Sequence, residues 1–451
     1  MQNCYLCRTF DSMNRDILKL ALPNIISNIT VPLLGLIDLA LMGHLSSEVY
    51  IGAIALGTVI FNFIYWSFGF LRMSTSGFAA QAFGEEKPAE QITILGRALI
   101  VSTFIALIIL ALQSPLAWGS FKLIGGSTEV ETLAEEYFRI RVWAAPAALG
   151  LFVFSGWFLG MQNARYPMII AILSNIANIL LSVFFVFVLD MKSAGVALGT
   201  VLSQYIGVLL ALYLFSRKYR HLLPHFKIKA AVDLERMTSF FRVNTDIFIR
   251  SFCIILVFTF FTSKSASTND TILAVNSLLL QMLLFFSFFI DGFAFAGEAL
   301  AGKFVGAKQF NQLKKVVKLL FIWGTGLAVM FVLIYFSGMN FILKLLTSQQ
   351  DVISEAQPYI IWVIFIPLAS FSSFVWDGIY IGATASKAMR NTLLASAFLV
   401  FAPVYFFLQP VWENHALWLA MSLFMFARGA IQTFLYPKAI LSLNTYSQKV
   451  N

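Results

Sequence analysis

The chain has 451 residues, of which 59% are hydrophobic and only 12% are charged. Soluble domains are about 45–50% apolar and about 25% charged, so this composition excludes an ordinary soluble protein. The apolar excess extends along the whole chain and predicts a helical membrane protein, because barrel strands would appear as short alternating segments. A basic cytoplasmic face beside anionic lipid accounts for the net charge of +9, which therefore indicates no nucleic-acid partner.

Twelve apolar runs are long enough to cross a bilayer, since a crossing helix needs about 20 residues. The runs are 17–42, 51–82, 92–118, 132–161, 166–189, 195–215, 239–263, 271–302, 312–338, 354–382, 389–409 and 414–437. Lys and Arg are concentrated before the first run, between the sixth and seventh, and after the eighth, tenth and twelfth. The positive-inside rule therefore predicts a multi-pass protein of the cell (inner) membrane with both termini in the cytoplasm.

The second half of the chain repeats the first at an offset of 222 residues. The segment "YFRIRVWAAPAALGLFVFSGWFLGMQNAR", from Tyr137, aligns with "YIIWVIFIPLASFSSFVWDGIYIGATASK", from Tyr359. Gly156 and Gly378 occupy matching positions, and both belong to Gly-x-x-x-Gly seams that would also serve local helix packing. Because the offset corresponds to six helices, both copies keep the same orientation. This predicts two six-helix bundles around a central cleft, a layout suited to alternating access.

The predicted fold is therefore an all-α integral membrane protein with a 6+6 internal repeat. We divide the chain into five regions on this basis. They are an N-terminal tail (1–13), an N-terminal six-helix bundle (14–216), a cytoplasmic linker (217–236), a C-terminal six-helix bundle (237–440) and a C-terminal tail (441–451).

Asp38 is a single carboxylate well inside the first apolar run. Such a group costs on the order of 3 kcal/mol to insert at mid-membrane, so its presence indicates a function by default. Its partner at the repeat offset is Phe260, which indicates a task that only one bundle performs. A carboxylate at this depth can exchange H⁺ or hold Na⁺. The alternative is a hydrogen bond or ion pair that fixes neighbouring helices.

Three neutral polar residues are predicted to lie at a similar depth in the first bundle. Asn178 and Ser182 are four residues apart on the fifth helix, and Thr200 lies on the first turns of the sixth. Carboxylate, amide and hydroxyl oxygens are ligands that a hard cation prefers. We therefore name Asp38, Asn178, Ser182 and Thr200 as ion-coupling candidates, with Na⁺ possible at all but Ser182. Plain hydrogen bonding between helices is an equally simple role for the neutral three.

Substrate or gating candidates follow from buried charge and from aromatic character. Asp246 and Arg250 are four residues apart on the seventh helix, which predicts an internal salt bridge of mainly structural role. Asp291 and Asp377 are further carboxylates inside apolar runs. Tyr65 is a candidate for lining a cleft that holds flat lipophilic cations.

The sequence contains no Walker A motif, no glycine-rich phosphate loop after a strand and no histidine cluster. We therefore predict that the protein is not an enzyme, uses no cofactor and draws its energy from an H⁺ or Na⁺ gradient. The expected partners are small organic cations and membrane lipids, and the expected state is a monomer.

Six segments in order along the chain carry a resemblance to a known family. They are "LALPNIISNITVPLLGLIDLALMGHL", "GFLRMSTSGFAAQAFG", "NIANILLSVFFVF", "DIFIRSF", "DGFAFAGEALAGKFVGA" and "VWDGIYIGATASKAMRN". Together they resemble the multidrug and toxic compound extrusion (MATE) family and, within it, the DinF-like branch. The resemblance covers essentially the whole chain from Met13.

The resemblance implies a 6+6 antiporter that exports organic cations in exchange for H⁺ or Na⁺. Asp38 matches the coupling aspartate of the family, Asn178 and Thr200 match its cation site, and Pro23 matches the proline where the first helix bends. Ser182 departs from the many relatives that carry a second carboxylate there. That loss weakens a Na⁺ site but leaves one protonatable group, so we predict H⁺ coupling over Na⁺.

Two other functions stay open at this point. A lipid-linked oligosaccharide flippase shares the superfamily architecture, but it would favour a strongly cationic cleft, and few buried arginines are expected here. A membrane scaffold or receptor without transport is the third reading. The unduplicated buried carboxylates and the lack of a sizeable extramembrane domain argue against it.

Overall fold

The computed structural model describes residues 2–43, 48–125 and 127–442. Side chains are described throughout these ranges except at residues 2–11, 31, 33, 34, 36, 38–43, 48, 123 and 124. Within the described ranges the chain is helical almost throughout and contains no β-strand.

The first helix, α1, is Gln2–Gly43. Nine further crossing helices follow: α2 (Val49–Gly84), α3 (Pro88–Ala111), α4 (Thr128–Gly160), α5 (Arg165–Val188), α6 (Lys192–His225), α7 (Leu234–Thr268), α8 (Asp270–Gly306), α9 (Phe310–Leu346) and α10 (Gln350–Gly382). The last apolar stretch, Ser386–Leu441, is broken at the non-helical Glu413 (φ 45°, ψ −123°) into α11 (386–412) and α12 (414–441). Ten stretches of the described chain are long and apolar enough to cross a membrane. Counting α1 as well, and the last stretch as two helices, gives the twelve that the sequence predicts.

Two helix starts carry a side chain that accepts a hydrogen bond from a free backbone N–H group. The Ser127 side chain accepts a hydrogen bond from the Val130 N–H at the start of α4. The Asn269 side chain accepts one from the Ile272 N–H, at 2.7 Å, at the start of α8. Pro88 occupies the first turn of α3, where its missing N–H costs nothing.

The contacts divide the chain into two compact units. One unit is Ile26–Phe241, and the other comprises the described parts of Met1–Ile25 and Arg242–Asn451. The first half of α1 therefore packs with the second unit. The Trp323 indole donates to Asn14 Oδ1 at 3.0 Å, and Gly292 on α8 closely approaches Ile25. The domain boundaries drawn from the sequence, which place the whole of α1 in the first bundle, stay a prediction.

The two units contain the same helix crossing. A Cβ atom added at Gly156 on α4 would lie 2.2 Å from the Arg72 carbonyl oxygen on α2. A Cβ atom added at Gly378 on α10 would lie 2.0 Å from the Ala294 carbonyl oxygen on α8. Both the glycines and their contacts are 222 residues apart, which is the offset of the sequence repeat.

The second glycine of each seam repeats the pattern one turn later. Gly160 faces the Ser76 carbonyl oxygen, 2.7 Å from its added Cβ position, and Gly382 faces the Glu298 carbonyl oxygen at 2.2 Å. Residues 76 and 298 again differ by 222. The duplicated segments therefore fold alike, with backbones in close contact that only glycine permits.

Candidate functional site

The neutral ion-coupling candidates come together on α5 and α6 of the first unit. Asn178 is 2% exposed, and its Nδ2 donates to Thr200 Oγ1 at 3.0 Å and to Ser203 Oγ at 3.4 Å. Thr200 Oγ1 in turn donates to the Val196 carbonyl oxygen at 2.9 Å. Asn178 and Thr200 thus form one hydrogen-bonded cluster between two helices.

Three side-chain oxygen atoms of α5 are buried without a hydrogen bond to any described residue. They are Ser174 Oγ, Asn178 Oδ1 and Ser182 Oγ. Buried polar atoms nearly always form hydrogen bonds, so each exception indicates a further partner such as a water, an ion or a proton donor. The amide oxygen of Asn178 can only accept a hydrogen bond, whereas the hydroxyls can also donate, so Asn178 Oδ1 specifically requires a donor or a cation.

Small residues allow α5 and α6 to approach closely around these oxygens. A Cβ atom added at Gly199 would lie 2.7 Å from Ser182 Oγ, and one added at Gly207 would lie 2.5 Å from Ser174 Oγ. Ser203, three residues after Thr200 on the same helix face, joins the cluster although the sequence analysis did not select it. Its spacing of three residues from Thr200 could have identified it, because residues three apart lie on the same face of a helix.

Asp38 lies on α1 within the same unit, but its side chain lies outside the described part of the chain. Its coupling role stays a prediction. The structure does link α1 to α5, because Asn175 Nδ2 donates to the Thr30 carbonyl oxygen at 3.5 Å. Thr30 precedes Asp38 by about 12 Å along the helix axis.

Asp377 occupies a different kind of environment in the second unit. Its buried carboxylate accepts hydrogen bonds from Arg250, from Arg428 at 2.6 Å and from Gln432 Nε2 at 3.1 Å. Two guanidinium groups share one carboxylate, so these three charged groups sum to +1. Such a carboxylate is already neutralised and has no capacity for a further cation.

The predicted salt bridge between Asp246 and Arg250 is wrong. Asp246 instead accepts hydrogen bonds from Arg390 at 2.5 Å and from Ser386 Oγ at 2.8 Å, while Arg250 pairs with Asp377. An i, i+4 pair contributes only a few tenths of a kcal/mol. A buried carboxylate requires fuller hydrogen bonding, which distant residues on other helices supply here.

The remaining candidates stand apart from these clusters. Tyr65 is half-buried on α2, its ring stacks on Phe61 at 5.7 Å, and its hydroxyl makes no hydrogen bond to a described residue. Arg141 lies 5.0 Å over the Phe61 ring and donates to the Tyr137 hydroxyl. Asp291 is half-buried on α8 in the second unit.

Buried arginines are more numerous than the sequence analysis expected. Arg97, Arg250 and Arg428 are all at most 6% exposed. Arg97 is held by the carbonyl oxygens of Ala230 and Ala231, so it anchors the segment before α7. Arg250 and Arg428 lie in the second unit, where buried Asp246, Glu298 and Asp377 also lie, so an excess of positive charge is confined to the Asp377 cluster.

Comparison with known proteins supports one family along the whole chain. A family model described as MatE matches residues 23–184 and again 247–407, so each half matches separately. The chain is 37% identical to DNA damage-inducible protein F of Escherichia coli (strain K12), over 94% of this chain and 92% of that protein. It is 24% identical to Protein DETOXIFICATION 44, chloroplastic, of Arabidopsis thaliana, over 90% and 80% of the two chains.

A solved structure shows the same fold at lower sequence identity. The Vibrio cholerae MATE transporter VcmN in the bent form superposes with a TM-score of 0.84 at 17% identity. The match covers 97% of this chain and 99% of the other. The twelve-helix arrangement is thus a known one.

Proposed function

This chain belongs to the MatE family, and from that premise we propose a secondary active antiporter that exports amphipathic organic cations in exchange for H⁺. The coupling residue is Asp38, which alternately carries a proton and attracts the cationic substrate. Because the two ligands compete for one carboxylate, binding of either biases the protein toward release of the other.

The single observation that carries this proposal is the unpaired amide oxygen of Asn178. A protonated carboxyl group is a hydrogen-bond donor, whereas an ionised one is only an acceptor. Asn178 Oδ1, buried with no described donor, suits a protonated carboxyl as partner. Na⁺ is the weaker choice, because Asn178, Ser182 and Thr200 offer neutral oxygens only and a single carboxylate would supply all the negative charge.

The cellular setting forms part of the same proposal. The protein is a monomer in the inner membrane with both termini in the cytoplasm. It works without cofactor, enzyme activity or nucleic-acid partner. The ten apolar stretches of sufficient length found among the described residues support a multi-pass membrane protein.

A lipid-linked oligosaccharide flippase is the second candidate. It is favoured by Arg250 and Arg428, which share the single carboxylate of Asp377, so that this buried cluster carries a charge of +1. A pyrophosphate group is the chemistry that such charge attracts.

The experiment is dye efflux from proteoliposomes that carry the purified chain and receive a pH gradient or a Na⁺ gradient separately. Asp38→Asn is compared with wild type, and Asp190→Asn serves as a control. Asp190 is exposed and has a positive φ that asparagine tolerates. We expect efflux under the pH gradient alone, abolished in Asp38→Asn and retained in Asp190→Asn.

Full efflux by Asp38→Asn would contradict the role of that carboxylate. Efflux under the Na⁺ gradient alone would instead identify the oxygens of Asn178, Ser182 and Thr200 as a Na⁺ site. No efflux under either gradient, together with translocation of a fluorescent lipid-linked oligosaccharide, would establish the flippase.

A further inference from the structure

A groove of about 580 Å³ lies on the second unit between α9, α10 and α12. Its apolar wall comprises Val317, Phe321 and Ile322 of α9 and Trp376 of α10. Lys314 and Lys318 lie at its rim, and neither belongs to the transport site described above. We refer to these residues as the α9 groove.

The floor of the α9 groove is a fixed aromatic surface. The Trp376 ring packs against Phe321 at 5.0 Å and against Tyr436 at 4.8 Å. Its indole N–H donates to Thr433 Oγ1 at 2.7 Å. Because the indole N–H of Trp376 is satisfied, the rings of Trp376 and Phe321 present carbon to an occupant, which suits an alkyl chain.

The rim carries two cations on one helix face. Lys314 and Lys318 are four residues apart, both are exposed, and neither forms an ion pair with a described residue. They lie about 6 and 12 Å from the start of α9, and Trp376 lies about 9 Å before the end of α10. The groove therefore opens at the helix ends where the sequence places its basic loops.

We propose that the α9 groove binds an anionic phospholipid of the cytoplasmic leaflet. Lys314 and Lys318 hold the phosphodiester, and one acyl chain lies over Phe321 and Trp376. Basic residues near helix ends attract acidic lipids of that leaflet, and apolar stems let lysine reach the headgroup level. An organic cation is a poorer occupant because both lysines repel it.

The test uses the full chain in neutral detergent and the quenching of tryptophan fluorescence by brominated phosphatidylglycerol. Trp376→Phe identifies the part of the signal that arises in the groove. Lys314→Gln/Lys318→Gln removes both rim charges. Lys227→Gln/Lys229→Gln removes two exposed lysines from the segment before α7 and is the matched control.

In Lys314→Gln/Lys318→Gln, we expect the concentration of brominated phosphatidylglycerol that quenches half of the Trp376 signal to be at least about tenfold higher than in wild type. The matched control keeps the wild-type value. If the double variant is not monodisperse, Lys318→Gln alone is measured, and a shift of about threefold or more is expected.

Three results would overturn the proposal. Equal quenching by brominated phosphatidylcholine would show that binding does not depend on the charge of the headgroup. Displacement of the lipid by millimolar inorganic phosphate would show a free-phosphate site. An unchanged half-quenching concentration in the lysine variants would show that the rim does not bind the headgroup. None of these results depends on the transport activity.

Discussion

The two units share a helix crossing but differ in the chemistry of the polar groups that they bury. In the first unit, Asn178 and Ser182 keep oxygens that no described residue pairs. In the second unit, the Asp377 carboxylate is saturated by Arg250, Arg428 and Gln432. Duplication therefore preserved the helix crossing and left the polar residues free to diverge. The first unit keeps neutral acceptors without a described partner, which suit exchange of a ligand. The second unit pairs a buried carboxylate with two guanidinium groups, although Arg250 Nε and Gln432 Oε1 of that cluster have no described partner.

The largest expected effect follows from removing the charge of Asp377, which pairs with two buried arginines. Asp377→Asn leaves two buried guanidinium groups without a counter-charge, which should destabilise the protein by about 3–5 kcal/mol. The measurement is the thermal loss of the monodisperse species in detergent. Adding Arg428→Gln to Asp377→Asn should recover part of the loss, because one of the unpaired charges disappears. Asp377→Asn as stable as wild type would show that the two arginines do not depend on the Asp377 carboxylate.

An intermediate loss of stability is expected at the glycine helix crossing that the two units share. Gly156→Ala and Gly378→Ala each place a methyl group against a backbone carbonyl oxygen, and both should cost about 1–3 kcal/mol. Gly150→Ala and Gly326→Ala are the matched controls, since nothing lies within 4 Å of either added Cβ. The controls should be neutral or slightly stabilising, because alanine favours helix. Unequal costs at the two seams would show that the crossings are not equivalent.

The smallest expected effect lies at the open oxygens. Ser182→Ala removes a buried hydroxyl that no described residue pairs, so stability should change by no more than about 0.5 kcal/mol. Efflux driven by a pH gradient should also be retained, since Ser182 is not required to carry a proton. Loss of efflux with stability intact would move Ser182 into the ion site and favour Na⁺ over H⁺.

The fold was largely predictable from the sequence, for identifiable physical reasons. The hydrocarbon requires long apolar helices, so twelve runs of the right length predict twelve crossings. The offset of 222 predicts the repeat, and the seam glycines that mark it, Gly156 and Gly378, meet matching backbone atoms. The break at Glu413 was also predicted, since the sequence analysis ended one helix and began another there.

Side-chain partners were much less predictable. Asp246 and Arg250 are neighbours on one helix, yet each pairs with a residue more than a hundred positions away. Sequence spacing reports contacts within a helix, whereas buried charges choose partners across helices according to packing. The pairing of Asn178 with Thr200 could be predicted from the sequence, because consecutive helices are usually neighbours.

The first half of α1 also determines the order in which the protein can be completed during synthesis. Asn14 hydrogen-bonds Trp323, which leaves the ribosome 309 residues later. At about 5–20 residues per second, the start of the chain waits for roughly 15–60 s before this partner exists. The second unit therefore includes a segment that is synthesised 309 residues before its partner. Truncation of the first helix should impair the assembly of the half that is made last.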